Sequence, residues 1–134
     1  MVGKDDIERF LTRLASDGAT YAELEDGLWI VHPSGQRDAD VVVNYAPPVV
    51  LLRLKVMDLP NANTDHVELY RRLLELNASE LLHGAYGIEG NDIVLTEAME
   101  LSHLDYEEFL ASYESMTLAL ASHLRELAPF REGK

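Results

Sequence analysis

The 134-residue sequence contains no cysteine. Disulfides, thiolate nucleophiles and cysteine-based metal sites are thereby excluded. Basic residues are scarce: 11 Lys and Arg stand against 24 Asp and Glu, a formal net charge of −13. Affinity for nucleic acid or for an anionic lipid surface rests on Lys and Arg, so neither partner is expected. The shortage is also local. No Lys or Arg occurs between Arg72 and Arg125, whereas Glu75, Glu80, Glu89, Asp92, Glu97, Glu100, Asp105, Glu107, Glu108 and Glu114 all do. One side of the fold should be negative, which suits a basic partner segment as well as simple solvation.

Long apolar runs are missing too, so no bilayer span is expected. The start, Met-Val-Gly-Lys-Asp-Asp, has no apolar core and does not read as a signal peptide, which favours a cytoplasmic protein. Repeats, linkers and low-complexity segments are lacking, and the length suits one domain spanning 1–134.

Catalytic patterns are equally sparse. His32, His66, His83, His103 and His123 never pair at helical spacing, and no HExxH is present. Ser102 and His103 are mere sequence neighbours, without a G-x-S-x-G elbow. Gly84-Ala85-Tyr86-Gly87 imitates a phosphate loop, but a strand rather than a helix follows it, and its surroundings are acidic. Asn77-Ala78-Ser79 is formally a glycosylation acceptor, relevant only to a secreted chain. Glu97, Glu100 and Asp105 could gather as carboxylates for acid–base work, yet nothing marks a cleft around them. No catalytic residue, cofactor site or metal ligand is assigned, and an enzyme is not expected.

What the chain does have is amphipathic order. Ile7, Phe10, Leu11 and Leu14 follow helical spacing over Asp5–Asp17, and Gly18 ends that helix. Thr20–Glu25 and Leu28–His32 flank Asp26-Gly27, a strong hairpin signal. Leu28-Trp29-Ile30-Val31 is apolar at every position, so this strand is covered on both faces or awaits a cover. Asp40–Tyr45 and Val49–Met57 are further strands around Pro47-Pro48, which cannot donate to a ladder. On the longer one, Val50, Leu52, Leu54 and Val56 share a face, and Val49, Leu51, Arg53, Lys55 and Met57 share a mixed one.

The central stretch is Asp65–Leu101. Asp65 and Glu68 predict a capping box for a helix. Val67, Tyr70, Leu73, Leu74 and Asn77 fall on one face of it, with Leu69 and Leu76 close by. Strands Gly84–Glu89 and Ile93–Ala98 follow across a Gly90-Asn91-Asp92 turn. Asp105 with Glu108 caps a last helix, Tyr106 to about Leu127, with Pro129 beyond it. The expected class is α+β: a twisted antiparallel sheet with helices packed on it, in the order helix, strands, helix, two strands, helix.

Leu69-Tyr70, Leu73-Leu74, Leu76-Asn77, Gly84-Ala85-Tyr86-Gly87-Ile88, Ile93-Val94-Leu95, Leu101 and Leu104-Asp105 together resemble the pattern of class I type III secretion chaperones (the CesT, or Tir chaperone, type) and of the YbjN family. The resemblance runs from about Leu51 to Leu127. Pro47-Pro48 and a long early hairpin depart from the secretion group, which puts YbjN-like proteins closer. The resemblance implies a non-enzymatic homodimer that holds an extended segment of another polypeptide without ATP. It places the dimer interface around the central helix, with Tyr70, Leu73, Leu76, Asn77 and Tyr86 as candidates. Extended peptides gain main-chain hydrogen bonds at a sheet edge and side-chain pockets on alternate residues. Trp29, Val31, Val49, Leu51 and Met57 are the candidates for that contact. The competing expectation is a small-molecule-sensing domain with a pocket between helices and sheet.

Overall fold

The computed structural model describes residues 1–35, 40–59 and 66–131. Its elements are α1 (Lys4–Ser16), β1 (Thr20–Glu25), β2 (Leu28–His32), β3 (Val41–Ala46), β4 (Val49–Asp58), α2 (Val67–Ser79), β5 (Ala85–Glu89), β6 (Asp92–Glu100) and α3 (Tyr106–Arg131). The strands form one antiparallel sheet in the order β1-β2-β3-β4-β6-β5. This is the α+β class and element order read from the pattern. The expected Asp65 cap and most of the loop before it lie outside the described residues; His66 stands at the α2 N-cap without a side-chain cap bond.

Turn chemistry fixes the connections. Gly27 (φ +77°) lies in the β1–β2 hairpin and Gly90 (φ +60°) in the β5–β6 hairpin. Asp105 and Glu108 form the expected reciprocal box at α3: the Glu108 N–H donates to Asp105 Oδ1 at 2.8 Å and the Asp105 N–H to Glu108 Oε1 at 3.3 Å. α3 continues past Leu127, with Pro129 inside its final turns rather than beyond its end.

Strand register sorts the sheet into two unlike faces. One row runs Val31, Val41, Leu54, Leu95, Tyr86, and the next runs Trp29, Val43, Leu52, Glu97. Apart from half-buried Glu97 these side chains are buried, and the apolar ones form a single cluster with Ile7, Leu11 and Leu14 of α1, Leu69, Leu73 and Leu76 of α2, and Phe109, Met116 and Leu120 of α3. All three helices therefore pack on this face. The opposite rows, Ile30, Val42, Arg53, Thr96 and Leu28, Asn44, Leu51, Ala98, contribute nothing to that cluster.

A register shift between Lys55 and Met57 interrupts the alternation of β4. Past this bulge Met57 pairs with Ile93 and both are buried. A bulge adds one residue and flips every later side chain. This is why Met57 leaves the mixed face on which simple alternation places it.

Two adjacent stripes compete on α2. Leu69, Leu73 and Leu76 turn inward, while Val67 (66% exposed) and Leu74 (67% exposed) turn outward. Asn77 closes the outer edge of β5: the Tyr86 N–H donates to Asn77 Oδ1 at 2.7 Å, and Asn77 Nδ2 donates to the Tyr86 carbonyl at 3.2 Å. One side-chain amide thus stands in for a neighbouring strand. The buried Tyr86 hydroxyl meets His123 Nδ1 of α3 at 2.6 Å, tying all three elements together.

Candidate functional site

The uncovered sheet face is the most distinctive surface. Leu28 and Ile30 of β2, Val42 of β3, and Val49 and Leu51 of β4 lie there half-buried, with Ala98 of β6 exposed beside them. Alternation forces this: Leu28–Val31 of β2 and the first half of β3 are apolar at every position, so filling one face with Trp29, Val31, Val41 and Val43 leaves the intervening apolar groups on the other. Among the described residues no helix covers them.

The two halves of this face differ. Toward β6 and β5 the charges are matched. Arg53 pairs with Glu89 and reaches Asp92 at 3.5 Å, and Lys55 Nζ meets Asp58 at 2.7 Å and Asp92 at 3.5 Å. The hydrogen bond from Lys55 to Asp58 raises the ammonium's pKa and lowers the carboxylate's. Lys55, Asp58 and Glu89 are exposed and Arg53 and Asp92 half-buried, so solvent screens much of the strength of these pairs. Toward β2 and β3 the surface is mainly apolar, with Asn44 as a polar member and a His32–Asp40 pair (2.8 Å) at its end.

The two edges differ as well. Asn77 occupies the β5 edge at Tyr86. Among the described residues the outer edge of β1 has no neighbouring strand, and its exposed residues include Leu24 (55% exposed), Glu23 and Glu25. Lys4 reaches Glu23 at 3.0 Å and anchors α1 beside the hairpin. A bare edge next to an apolar face offers an extended peptide both main-chain partners and side-chain contacts.

The structure divides the residues expected to touch a partner. Val49 and Leu51 lie on the open face, but Trp29, Val31 and Met57 are buried in the protomer. Leu28, Ile30, Val42 and Ala98 take their place on the surface. The signal for Leu28, Ile30 and Val42 was the unbroken apolar runs Leu28–Val31 and Val41–Val43. What it lacked was the side on which the helices sit.

The dimer candidates divide too. Leu73, Leu76 and Tyr86 belong to the protomer's own core, and Asn77 is bonded to Tyr86. Tyr70 stays half-exposed on an outward α2 face, where Val67, Arg71, Leu74, Glu75 and Ala78 join it around a shallow, mostly apolar hollow. Helical spacing admits both stripes, and only the packing of α2 against β5 and α3 selects the inward one.

Contrary to the expectation that no cleft surrounds them, two of the three carboxylates considered for catalysis, Glu97 and Glu100, line one cleft with His83 and Ser102, and Asp105 is not part of its lining. Glu97 accepts the Gly84 N–H at 2.8 Å and lies 3.5 Å from His83, Glu100 is exposed nearby, and Asp105 is occupied as the α3 cap. Among the described residues no three His, Asp or Glu side chains gather as a metal site, and no helix is long and apolar enough to cross a membrane. One continuous apolar cluster fills most of the space between helices and sheet, and a cleft remains at its margin between β6 and α3, lined by His83, Glu97, Glu100, Glu108 and Ser112.

Comparison with known proteins agrees with this geometry. No curated protein is detectably similar in sequence. Solved structures share the fold. A chain of the heterodimeric ExoU–SpcU complex from the type III secretion system of Pseudomonas aeruginosa is similar at 18% identity and a TM-score of 0.65, covering 92% of this chain and 98% of that one. YbjN from E. coli is similar at 17% identity and a TM-score of 0.63, covering 92% and 93%. A chain of the HopA1–SchA chaperone–effector complex is similar at 12% identity and a TM-score of 0.51, covering 96% and 92%. The CesT_Tir_1 family profile matches residues 3–132, nearly the whole length, and the chain belongs to the CesT_Tir_1 family.

Proposed function

We propose that this protein is a non-enzymatic polypeptide-binding module that holds an extended segment of another protein, in the manner of the type III secretion chaperones and YbjN. The observation that carries this reading is the apolar sheet face of Leu28, Ile30, Val42, Val49 and Leu51, uncovered by any helix among the described residues and beside the β1 edge, which no described strand pairs. Family membership and fold likeness to a chaperone–effector complex support it. An added strand at β1 supplies main-chain hydrogen bonds, and the apolar rows gain by losing water at roughly 25 cal/mol per Å². No nucleotide is needed for such binding, and the negative charge disfavours nucleic acid and anionic membranes. The setting this reading implies is the bacterial cytoplasm.

The same reading includes a homodimer. A second copy fits the outward face of α2, with Tyr70 and Leu74 at its centre, since that apolar strip is not absorbed by the protomer. Light scattering on Leu74→Asp should then give a folded monomer, whereas Leu73→Asp and Leu76→Asp should unfold the chain by placing a charge in its core. For the binding itself, random peptide display should select extended apolar sequences on the wild type and lose them on Val42→Asp with Leu51→Asp. Peptides selected equally well by both would refute the assignment of the surface.

A further inference from the structure

Besides its two outer edges, the sheet has a third stretch of unpaired strand, at the far end of β6. β5 covers β6 only as far as the pair of Ala85 with Thr96, whereas β6 runs on to Glu100. Gly84 sets this limit. Its φ of +86° turns the chain away from β6, and its N–H donates to Glu97 Oε1 at 2.8 Å. A Cβ there would stand 3.3 Å from the Thr96 carbonyl oxygen and from side-chain atoms of Leu95 and Met116, so the turn favours glycine.

Alternation tells which way the free backbone groups point. Asn77 bonds both the N–H and the carbonyl of Tyr86 on the outer side of β5, so Ala85 and Gly87 face β6, and Thr96 and Val94 face them. Two residues on, Ala98 directs its N–H and carbonyl the same way, and Glu100 does so again. The Leu101 N–H, one residue out of phase, bonds the Pro48 carbonyl on the β4 side, as this count requires. Ala98 and Glu100 are exposed, and among the described residues no backbone group pairs their outer edge. The edge opens into the cleft of about 400 Å³ between β6 and α3. His83 and Ser112 wall it, with His83 Nδ1 3.2 Å from Ser112 Oγ and 3.5 Å from Glu97 Oε2. Glu97, Glu100 and Glu108 line it, and no Lys or Arg does.

We infer that a short, extended, basic segment of the bound polypeptide adds to β6 at Ala98–Glu100, in the place that β5 leaves vacant, and fills this cleft. The free edge spans roughly 13 Å at about 3.3 Å per residue, room for a few residues of an added strand. Alternation assigns their side chains. Those level with Ala98 and Glu100 turn to the open face, where Ala98 adjoins Leu51 and Glu100 adjoins Val49. The residue between them turns to the helical side, toward Glu97 and Glu108. The segment therefore carries apolar residues on one side and a Lys or Arg on the other, because an acidic residue would meet only like charge in this lining. The volume alone would also suit a small molecule, whose pockets start near about 300 Å³. The unpaired main-chain groups of Ala98 and Glu100 decide for a peptide, which can match them in register. The notch adjoins the open apolar face, so one chain can lie on that face and enter it.

The inference rests on the polypeptide-binding reading, and one experiment separates the fates of both. The isotope-labelled protein is titrated with acetyl-Val-Lys-Val-Lys-Val-amide and followed by NMR. The controls are the same peptide with its central valine N-methylated, and acetyl-Val-Glu-Val-Glu-Val-amide. Amide signals of Ala98, Met99 and Glu100 and the ring signals of His83 should shift saturably with the lysine peptide, and exchange of the Ala98 and Glu100 amide protons should slow. N-methylation removes a main-chain donor and should weaken the response several-fold, and the glutamate peptide should give none. Ala111→Leu, which fills the cleft from an exposed position, and Glu100→Lys should each weaken it several-fold while circular dichroism stays unchanged. Equal responses to the N-methylated and parent peptides would mean charge attraction without strand pairing and would overturn the inference, as would shifts indifferent to both substitutions. Shifts at β1 and the open face with none at Ala98–Glu100 leave the polypeptide-binding reading standing and remove this site. Shifts at Ala98–Glu100 with none at β1 or the open face leave this site and remove the surface assigned above.

Discussion

The two faces of the sheet are made from the same strands and nearly the same residue types, yet they end differently. On the covered face, Trp29, Val31, Val43, Leu52 and Leu54 are lost to solvent under three helices. On the other, Leu28, Ile30, Val42 and Leu51 keep part of their surface in water. The first face holds the protomer together. The second contributes little to folding as it stands and can contribute when something lies on it. An apolar residue therefore cannot be assigned to core or contact by its chemistry alone; the side of the sheet decides.

The largest expected effect that tests this comparison is on the covered side. Trp29→Ala should cost roughly 3–5 kcal/mol, because a fully buried ring leaves a cavity. Thermal denaturation checks this, and a small change would show that the ring is not core. Asn77→Ala should cost about 1–3 kcal/mol by leaving the Tyr86 N–H and carbonyl at the β5 edge unmet. Hydrogen exchange should then quicken at Tyr86 and leave β2 unchanged.

Acid should act through the covered side as well. Burial holds the His123 pKa below its ordinary 6.5, with Arg72 adding to the depression and Glu80 opposing it. The unfolded chain thus binds this proton more readily than the folded one. The stabilisation is complete above 6.5 and is lost as pH falls through the lower folded value. His123→Asn should flatten the dependence of stability on pH in that range, by denaturant titration at successive pH values. The smallest effect belongs to the open face: Val42→Ser with Leu51→Ser should shift stability by well under the cost of Trp29→Ala, about 1 kcal/mol or less, while peptide binding falls sharply. A loss as large as that at Trp29 would erase the distinction between the faces.

Much of this was legible without coordinates. Helical spacing in α1, the Asp26-Gly27 and Gly90-Asn91 turns and the Asp105–Glu108 box each follow from local chemistry, and each is in place. The resemblance to the CesT and YbjN pattern rested on α2 through β6, and the family profile extends it to nearly the whole chain. The sites were legible only in part, for three physical reasons. Alternation separates Trp29 from Ile30 but does not say which face receives the helices. The bulge that turns Met57 inward adds one residue with no marker in the sequence. On α2, the stripes of Leu69-Leu73-Leu76 and Val67-Tyr70-Leu74 are equally periodic, and tertiary packing alone distinguishes them.

The central claim is that the bare sheet face receives another polypeptide. Methyl-detected NMR of the protein with a display-selected peptide tests it most directly. The account predicts that the methyl groups of Leu28, Ile30, Val42, Val49 and Leu51 shift strongly while those of Val43, Leu52 and Leu54 hardly move. Shifts confined to the helical side, with the open-face methyls unchanged at saturation, would contradict it.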